Sequence, residues 1–187
     1  MQTLFIEENI KYIGTQLSGH WIYKNFNILG NAIVAFTGEC DVKLEHMVDI
    51  EDVINKEPIY SRNMLSFIVE DFDSSLIEMV YKQRLLVTIT KELIEKNYPN
   101  IKIVRDGDDL FINDKKLSVS IATKSITSSL IHFGLNIEAQ GAPIKAADLT
   151  NDVGVKNIKA FANEIMLKYK NEVSDIKQAA CKVRGVI

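Results

Sequence analysis

Residues 106–120 read Asp106-Gly107-Asp108-Asp109-Leu110-Phe111-Ile112-Asn113-Asp114-Lys115-Lys116-Leu117-Ser118-Val119-Ser120. The apolar run Leu110–Ile112 stops at Asn113-Asp114, a hairpin-turn pair, and an apolar/small alternation resumes after Lys115-Lys116. This pattern predicts a β-hairpin. Its first strand starts on clustered carboxylates and its second on two lysines. Antiparallel pairing would bring these charged ends toward one rim. A carboxylate pair such as Asp108 and Asp109 can hold Mg²⁺, and a lysine such as Lys116 can neutralise a phosphate or acyl-phosphate oxygen. The same charges also suit a solvated hairpin end.

Working outward, Leu117, Val119 and Ile121 alternate with Ser118, Ser120 and Ala122. Further on, Ile131, Phe133, Leu135 and Ile137 alternate with His132, Gly134 and Asn136. Period two means one apolar face and one polar or small face. If the two strands are neighbours, Lys116, Ser118 and Ser120 are expected to share one side of the sheet with His132, Gly134 and Asn136. Upstream, Ala32–Phe36 (ending at Thr37-Gly38), Met64–Val69 and Ile101–Val104 read as strands. Ser75 and Glu78 have capping-box spacing, and the stripe Leu76, Met79, Leu86, Ile89, Leu93 predicts a helix from Ser75 to Lys96. A second stripe, Ile158, Phe161, Ile165, Tyr169, Val173, Ile176, Ala180, predicts a helix from Asn157 to Ala180. Ser18 is a candidate cap for a short helix at Trp21, and Gly141-Ala142-Pro143 is a turn signal. The expected fold class is α+β: a largely antiparallel sheet with packed helices, one domain over residues 1–187.

Composition narrows the function classes. The 187 residues are 47% hydrophobic and 25% charged, which excludes a disordered chain, and the net charge of −3 does not fit a duplex-DNA binder. Two cysteines, Cys40 and Cys181, cannot build a disulfide framework. The N-terminus lacks a basic start with a long apolar run, and no stretch reads as a membrane span. A cytoplasmic, membrane-free protein with reduced thiols is the expectation. His20 and His46 belong to no Cys/His cluster, and no Walker A, GxGxxG or GxSxG motif is present.

Asp108-Asp109-Leu110 through Lys115-Lys116-Leu117-Ser118, followed by Gly134-Leu135-Asn136-Ile137, resembles the core of biotin and lipoate protein ligases. The order is an Asn-Asp-Leu-like strand, a turn, a basic-Lys-apolar-small strand and a later Gly-x-Asn strand, within a core of about residues 32–138. The resemblance implies the fold shared with class II aminoacyl-tRNA synthetases. It implies a ligase or acyltransferase acting on a small carboxylic acid or acyl-nucleotide, with ATP and Mg²⁺ as cofactors. It also assigns Lys116 to the acyl group and phosphate of an acyl-adenylate. Asp108, Asp109, Ser118, Gly134, Asn136 and Gly38 would then line the ligand. His132 is a candidate catalytic residue, and Cys40 a candidate nucleophile by analogy with lipoyl and octanoyl transferases of this fold. Two departures stand out. Val119 replaces a glycine. Thr37-Gly38-Glu39-Cys40-Asp41-Val42 replaces the arginine-containing nucleotide loop, removing charge compensation for a triphosphate. Rival readings are a non-catalytic small-molecule-binding domain and a synthetase-like protein acting in RNA modification. The whole chain also resembles the DUF366 family, through Gln16-Leu17-Ser18-Gly19-His20-Trp21, Gly38-Glu39-Cys40-Asp41-Val42 and Cys181-Lys182-Val183-Arg184-Gly185.

Overall fold

The computed structural model describes residues 1–139 and 145–186; the Gly141-Ala142-Pro143 turn signal lies outside them. In chain order the elements are β1 (Gln2–Phe5), α1 (Trp21–Phe26), β2 (Ala32–Val42), α2 (Ile50–Asn55), β3 (Ile59–Asp71), α3 (Leu76–Asn97), β4 (Val104–Asp106), β5 (Asp109–Ile112), β6 (Lys115–Lys116), β7 (Ser118–Lys124), β8 (Ser129–Glu138) and α4 (Ile158–Cys181). The main sheet has the order β1-β2-β3-β8-β7, antiparallel except for the parallel β1·β2 pair. Strands β4, β5 and β6 form a separate small sheet.

The α+β class is therefore observed, with helices packed on an antiparallel-dominated sheet. Helix α3 begins as the sequence predicts. Ser75 Oγ accepts from the Glu78 amide, and the Glu78 carboxylate accepts from the Ser75 amide at 2.6 Å. Helix α4 is capped by Asn157, whose side chain accepts from the Ala160 amide at 2.9 Å. Its stripe is buried through Phe161, Ile165, Tyr169 and Val173, but no described residue after Val173 is buried and Ile176 is 50% exposed. The last turns run past the edge of the core, where helical periodicity alone gives no burial. Ser18 does not cap α1: its hydroxyl donates to Thr15 O, and His20, in left-handed backbone, holds the cap position.

The sheet separates two apolar clusters. On one face Phe67, Phe133, Leu135 and Ile131 pack against Leu86, Leu93, Ile165 and Tyr169 of the long helices. On the other, Val34, Phe36, Ile68 and Met64 are covered by Ile6, Tyr12, Leu17 and Ile22. The second cover is the N-terminal segment, which runs beside β2: the Ile6, Ile10 and Tyr12 amides donate to Ala35, Thr37 and Glu39 carbonyls at 2.8–2.9 Å. Gly38 makes this close approach possible, because a Cβ there would overlap the Ile10 carbonyl oxygen.

The hairpin forms at Asn113-Asp114, both with positive φ (48° and 61°), as a two-residue turn joining twisted strands requires. It does not lie in the main sheet. Lys116 ends the small sheet, Leu117 passes between, and Ser118 starts an edge strand of the large one. Leu117 packs with the helix-side cluster whereas Val119 and Ile121 pack on the opposite side. The expected parity from Lys116 to Ser120 is therefore broken at Leu117, because alternation holds only within one continuous strand.

Gly38→Ala is expected to destabilise the chain by about 1–3 kcal/mol by displacing Ile10, a small-to-large change at a packed contact. A lowered urea midpoint with unchanged slope would show it. An unchanged midpoint would mean that the N-terminal segment is not held at Gly38.

A candidate ligand cleft around Lys116

Lys116 is fixed by its backbone before its side chain is considered. It pairs with Phe111 across the hairpin. On its other side its amide donates to Lys145 O at 3.0 Å, and its carbonyl accepts from the Ala147 amide at 2.9 Å. The Asn136 side-chain amide donates to both Lys116 O (3.4 Å) and Ala147 O (3.3 Å), and the Asn136 main-chain amide to Leu117 O at 3.1 Å. Asn136 thus staples β8 to the point where the chain changes sheets. The Lys116 ammonium lies 2.8 Å from the Asp109 carboxylate, both side chains less than one-third exposed. Burial raises the Asp109 pKa; the Lys116 ammonium acts in the opposite direction.

Lys116, Asp109 and Asn136 line a cleft of about 560 Å³ at the β7 edge, together with Met64, Val119, Tyr60 and the α2 region. Six carboxylates border it (Asp49, Glu51, Asp52, Glu57, Asp108, Asp109) against two ammoniums, Lys56 and Lys116. Asp52, on α2, is also held above the ordinary aspartate range, chiefly by burial and then by Asp49. The α2 side of the cleft had no signal in the sequence, because nothing local in Asp49-Ile50-Glu51-Asp52 says which surface it covers.

Of the remaining sequence-derived candidates, Asp108 and Ser118 also line the cleft, whereas Gly134, Gly38, Cys40 and His132 do not. Asp108 and Asp109 diverge where the Gly107-Asp108 turn passes into β5. Asp108 turns to α3, where Arg84 Nη1 lies at 3.0 Å and Gln83 Nε2 donates at 2.8 Å; Ser120 Oγ also donates to it at 2.8 Å. Each carboxylate already has a cation, and no group of three or more His, Cys, Asp or Glu among the described residues could hold a metal. The donor set does not fit Mg²⁺. Ser118 Oγ accepts from the Leu110 amide at 2.9 Å. Register pairs Ser118 with Leu135 and Ser120 with Phe133, on the helix side, and sets Val119 and Ile121 against Gly134 and His132. The two polar sets therefore do not share one face. The space above Gly134 is filled: a Cβ there would overlap Met64 Sδ, with Val119 Cγ2 also close.

Cys40 is fully buried within β2 and lines neither this cleft nor the cavity beside it. Burial pushes its thiol up to about 12, so it is protonated at neutral pH and not a poised nucleophile. His132 is buried, stacked on Tyr12 with ring centroids 3.7 Å apart and 3.2 Å from Ser66 Oγ. Burial drives its pKa down to about 3 and keeps it neutral. Gly38 contacts the chain's own Ile10, and its acidic neighbours Glu39 and Asp41 share one cation, Lys11, at 3.2 and 2.9 Å. The Thr37–Val42 stretch is strand, not loop, and its charges do not fit a triphosphate.

The family model "Domain of unknown function (DUF366)" matches residues 1–184. The Uncharacterized protein MJ0805 of Methanocaldococcus jannaschii is 40% identical over all of this chain and 86% of its own length. A structure described as a protein of unknown function from Pyrococcus horikoshi superposes with a TM-score of 0.93 at 36% identity, covering both chains fully. The biotin protein ligase from Aquifex aeolicus in complex with biotin and ATP has a TM-score of 0.64 at 14% identity, over 95% of this chain and 72% of that one. Lipoate-related structures follow at 0.57 and 0.60. The ligase likeness establishes the fold. No helix among the described residues is long and apolar enough to cross a membrane.

Two outcomes are expected. In the native protein one thiol, Cys181, reacts with a thiol reagent, and two react after denaturation; both cysteines are unpaired, with Cys40 buried and Cys181 exposed. Two fast native thiols would contradict the burial of Cys40. Lys116→Ala should cost about 1–2 kcal/mol at pH 7, between a surface and a buried ion pair. The raised Asp109 pKa means its contribution to stability is fullest below the unfolded carboxylate range and is lost as pH rises through the folded value. Without Lys116 that loss deepens, so the deficit should grow between pH 4 and pH 7 in denaturant titrations. Adding Asp109→Asn should remove most of it.

Proposed function

Since the chain belongs to the DUF366 family, we propose for it a function that rests on its ligase-type fold and its own cleft: acyl transfer from a small activated carboxylic acid to an amine. The observation that carries this reading is Lys116. It is an ammonium on a backbone hydrogen-bonded from both sides, opening on a cleft large enough for a small ligand. In such a reaction an amine nitrogen attacks the carbonyl carbon of an activated acyl donor, a thioester or mixed anhydride. The carbonyl π electrons move onto oxygen, where Lys116 stabilises the developing charge. Collapse expels the leaving group with its bonding pair, and the amine's proton passes to a cleft carboxylate. Asp109 aims the lysine, and Asn136 holds its main chain. The ligase neighbour's title names biotin and ATP as its ligands. A small acid suits the Lys116 cleft here, whereas the acidic Glu39 and Asp41 give no support to a nucleotide triphosphate, and no step is assigned to one.

A second reading, a non-catalytic binding module, is favoured by one feature. The N-terminal segment lies against Gly38, so this corner is closed by the protein itself.

A thermal-shift panel of biotin, lipoate and octanoate, each with and without ATP, tests the proposal. A ligand at a hundred times its dissociation constant stabilises by about 2.7 kcal/mol, or about 5–10 °C for a chain of this size. The acid-induced shift should appear without ATP and vanish in Lys116→Ala. A shift that persists undiminished in that variant would end the Lys116 assignment. Acid binding with no acyl-amine product from a thioester donor would favour the binding module.

A further inference from the structure

The sheet face below the cleft carries three β8 residues in a row, with a different space at each end. Asn136 lines the Lys116 cleft. His132 lines a separate cavity of about 40 Å³ under residues 46–49. Gly134 stands between them, about 7 Å along the strand from each, since alternate strand residues share a face. A glycine on a sheet face leaves a groove over the backbone. Here one side chain fills it. Met64 pairs with Asn136 in the register of β3 and β8, yet its thioether leans one pair along the sheet and lies over Gly134. A Cβ added to Gly134 would overlap Met64 Sδ and come within 3.2 Å of Cε; Val119 Cγ2, 3.1 Å from the same point, closes the β7 side. Val119 lines both spaces, and Met64 lines the cleft alone. Along the sheet floor Met64 is therefore the end wall of the cleft, with the His132 cavity behind it.

The cleft is unlike on its two sides. Carboxylates stand at α2 and at the hairpin start, whereas Pro58, Ile59, Met64 and Val119 give an apolar wall. Ile59 and Val119 continue that wall into the cavity, where Tyr12, Leu17 and Ile121 follow. An aliphatic chain whose head group is held at Lys116 gains burial along this wall and none along the carboxylates. The partition over Gly134 consists of side-chain atoms from Met64 and Val119. Shortening either side chain joins the two spaces without moving a strand.

We propose that Met64 sets the length of the acyl chain this cleft accepts, the substrates being unbranched aliphatic acids whose tail runs from Lys116 over Asn136 and ends against Met64. This rests on the acyl-transfer reading and adds to it the chemical class of the acid and the residue that selects it. Met64 determines specificity and takes no part in bond making. Each methylene laid on the apolar wall strengthens binding about fourfold, and a methylene beyond Met64 stays in water and adds little.

Isothermal titration of the full chain with butanoate, hexanoate, octanoate and decanoate tests the inference. In the wild type, affinity should rise with chain length and level off within the series. In Met64→Ala the levelling should move to a longer chain, and the ratio of decanoate to butanoate affinity should rise about tenfold or more, as two further buried methylenes give. Met64 is 2% exposed, so its truncation also weakens the core. Val119→Ala, at a half-buried position on the other side of the same partition, should move the levelling in the same direction, and it carries the test if a melting curve shows Met64→Ala to be unfolded. Acid binding that needs Lys116 but has a chain-length profile of equal shape in the wild type and the folded variants, or that climbs through decanoate in the wild type, would overturn the Met64 assignment while leaving the Lys116 reading standing. No binding of any acid, or binding that Lys116→Ala leaves unaffected, would overturn both.

Discussion

The structure turns on the main-chain hydrogen bonds around Lys116. At this residue the chain leaves a three-stranded sheet, and two residues later it enters a five-stranded one. Backbone groups at such a crossing are exposed to loss of partners, and an unpaired buried amide or carbonyl is costly. Here the residues around Ala147 take one side, the hairpin the other, and Asn136 bridges the remainder. The same arrangement that satisfies the crossing sets the lysine at the rim of the cleft. Fold and site are thus one construction, and the Asn136 side chain belongs to both.

A second constraint is how the open face of the sheet is covered. The helices take one face, and the other needs an apolar cover of its own. The N-terminal segment supplies it along β2 with Ile6, Tyr12 and Leu17, while residues around α2 overhang the β7 side. The groove is what remains between these two covers. Its acidic border follows from α2 and the hairpin start meeting across it. The biotin ligase likeness, at 14% identity, extends to the arrangement of strands and helices. The charges that border the groove are this chain's own.

Local chemistry was legible in the sequence. The Ser75–Glu78 capping box, the α3 stripe and the Asn113-Asp114 turn each depend on neighbours a few residues away, and each formed as its pattern indicates. The alternation of β8 was also sound: Ile131, Phe133 and Leu135 face the helices, while His132 and Gly134 face away. From these the α+β class follows, and so does the presence of Lys116 and Asp109 on one hairpin. The α4 stripe was legible only as far as another element exists to bury it, through Val173.

Tertiary structure decided everything that depends on what lies opposite. Leu117 breaks the strand parity because two sheets meet there, which no periodicity reports. Asp108 and Asp109, adjacent in sequence, serve different partners because one lies in the turn facing Arg84 of α3 and the other begins β5 opposite Lys116. Gly134 leaves no void because Met64, from another strand, fills it, and Gly38 admits Ile10 rather than a ligand. Cys40 and His132 look reactive by type and are silenced by burial, which raises the energy of their charged forms. Asp49 and Asp52 carried no signal at all, since their meaning comes from the surface they face. The sequence determined the elements and their polar and apolar faces, through interactions within a turn or a strand. Only long-range packing, which brings α2 over β7 and the N-terminus beside β2, decided where the cleft lies.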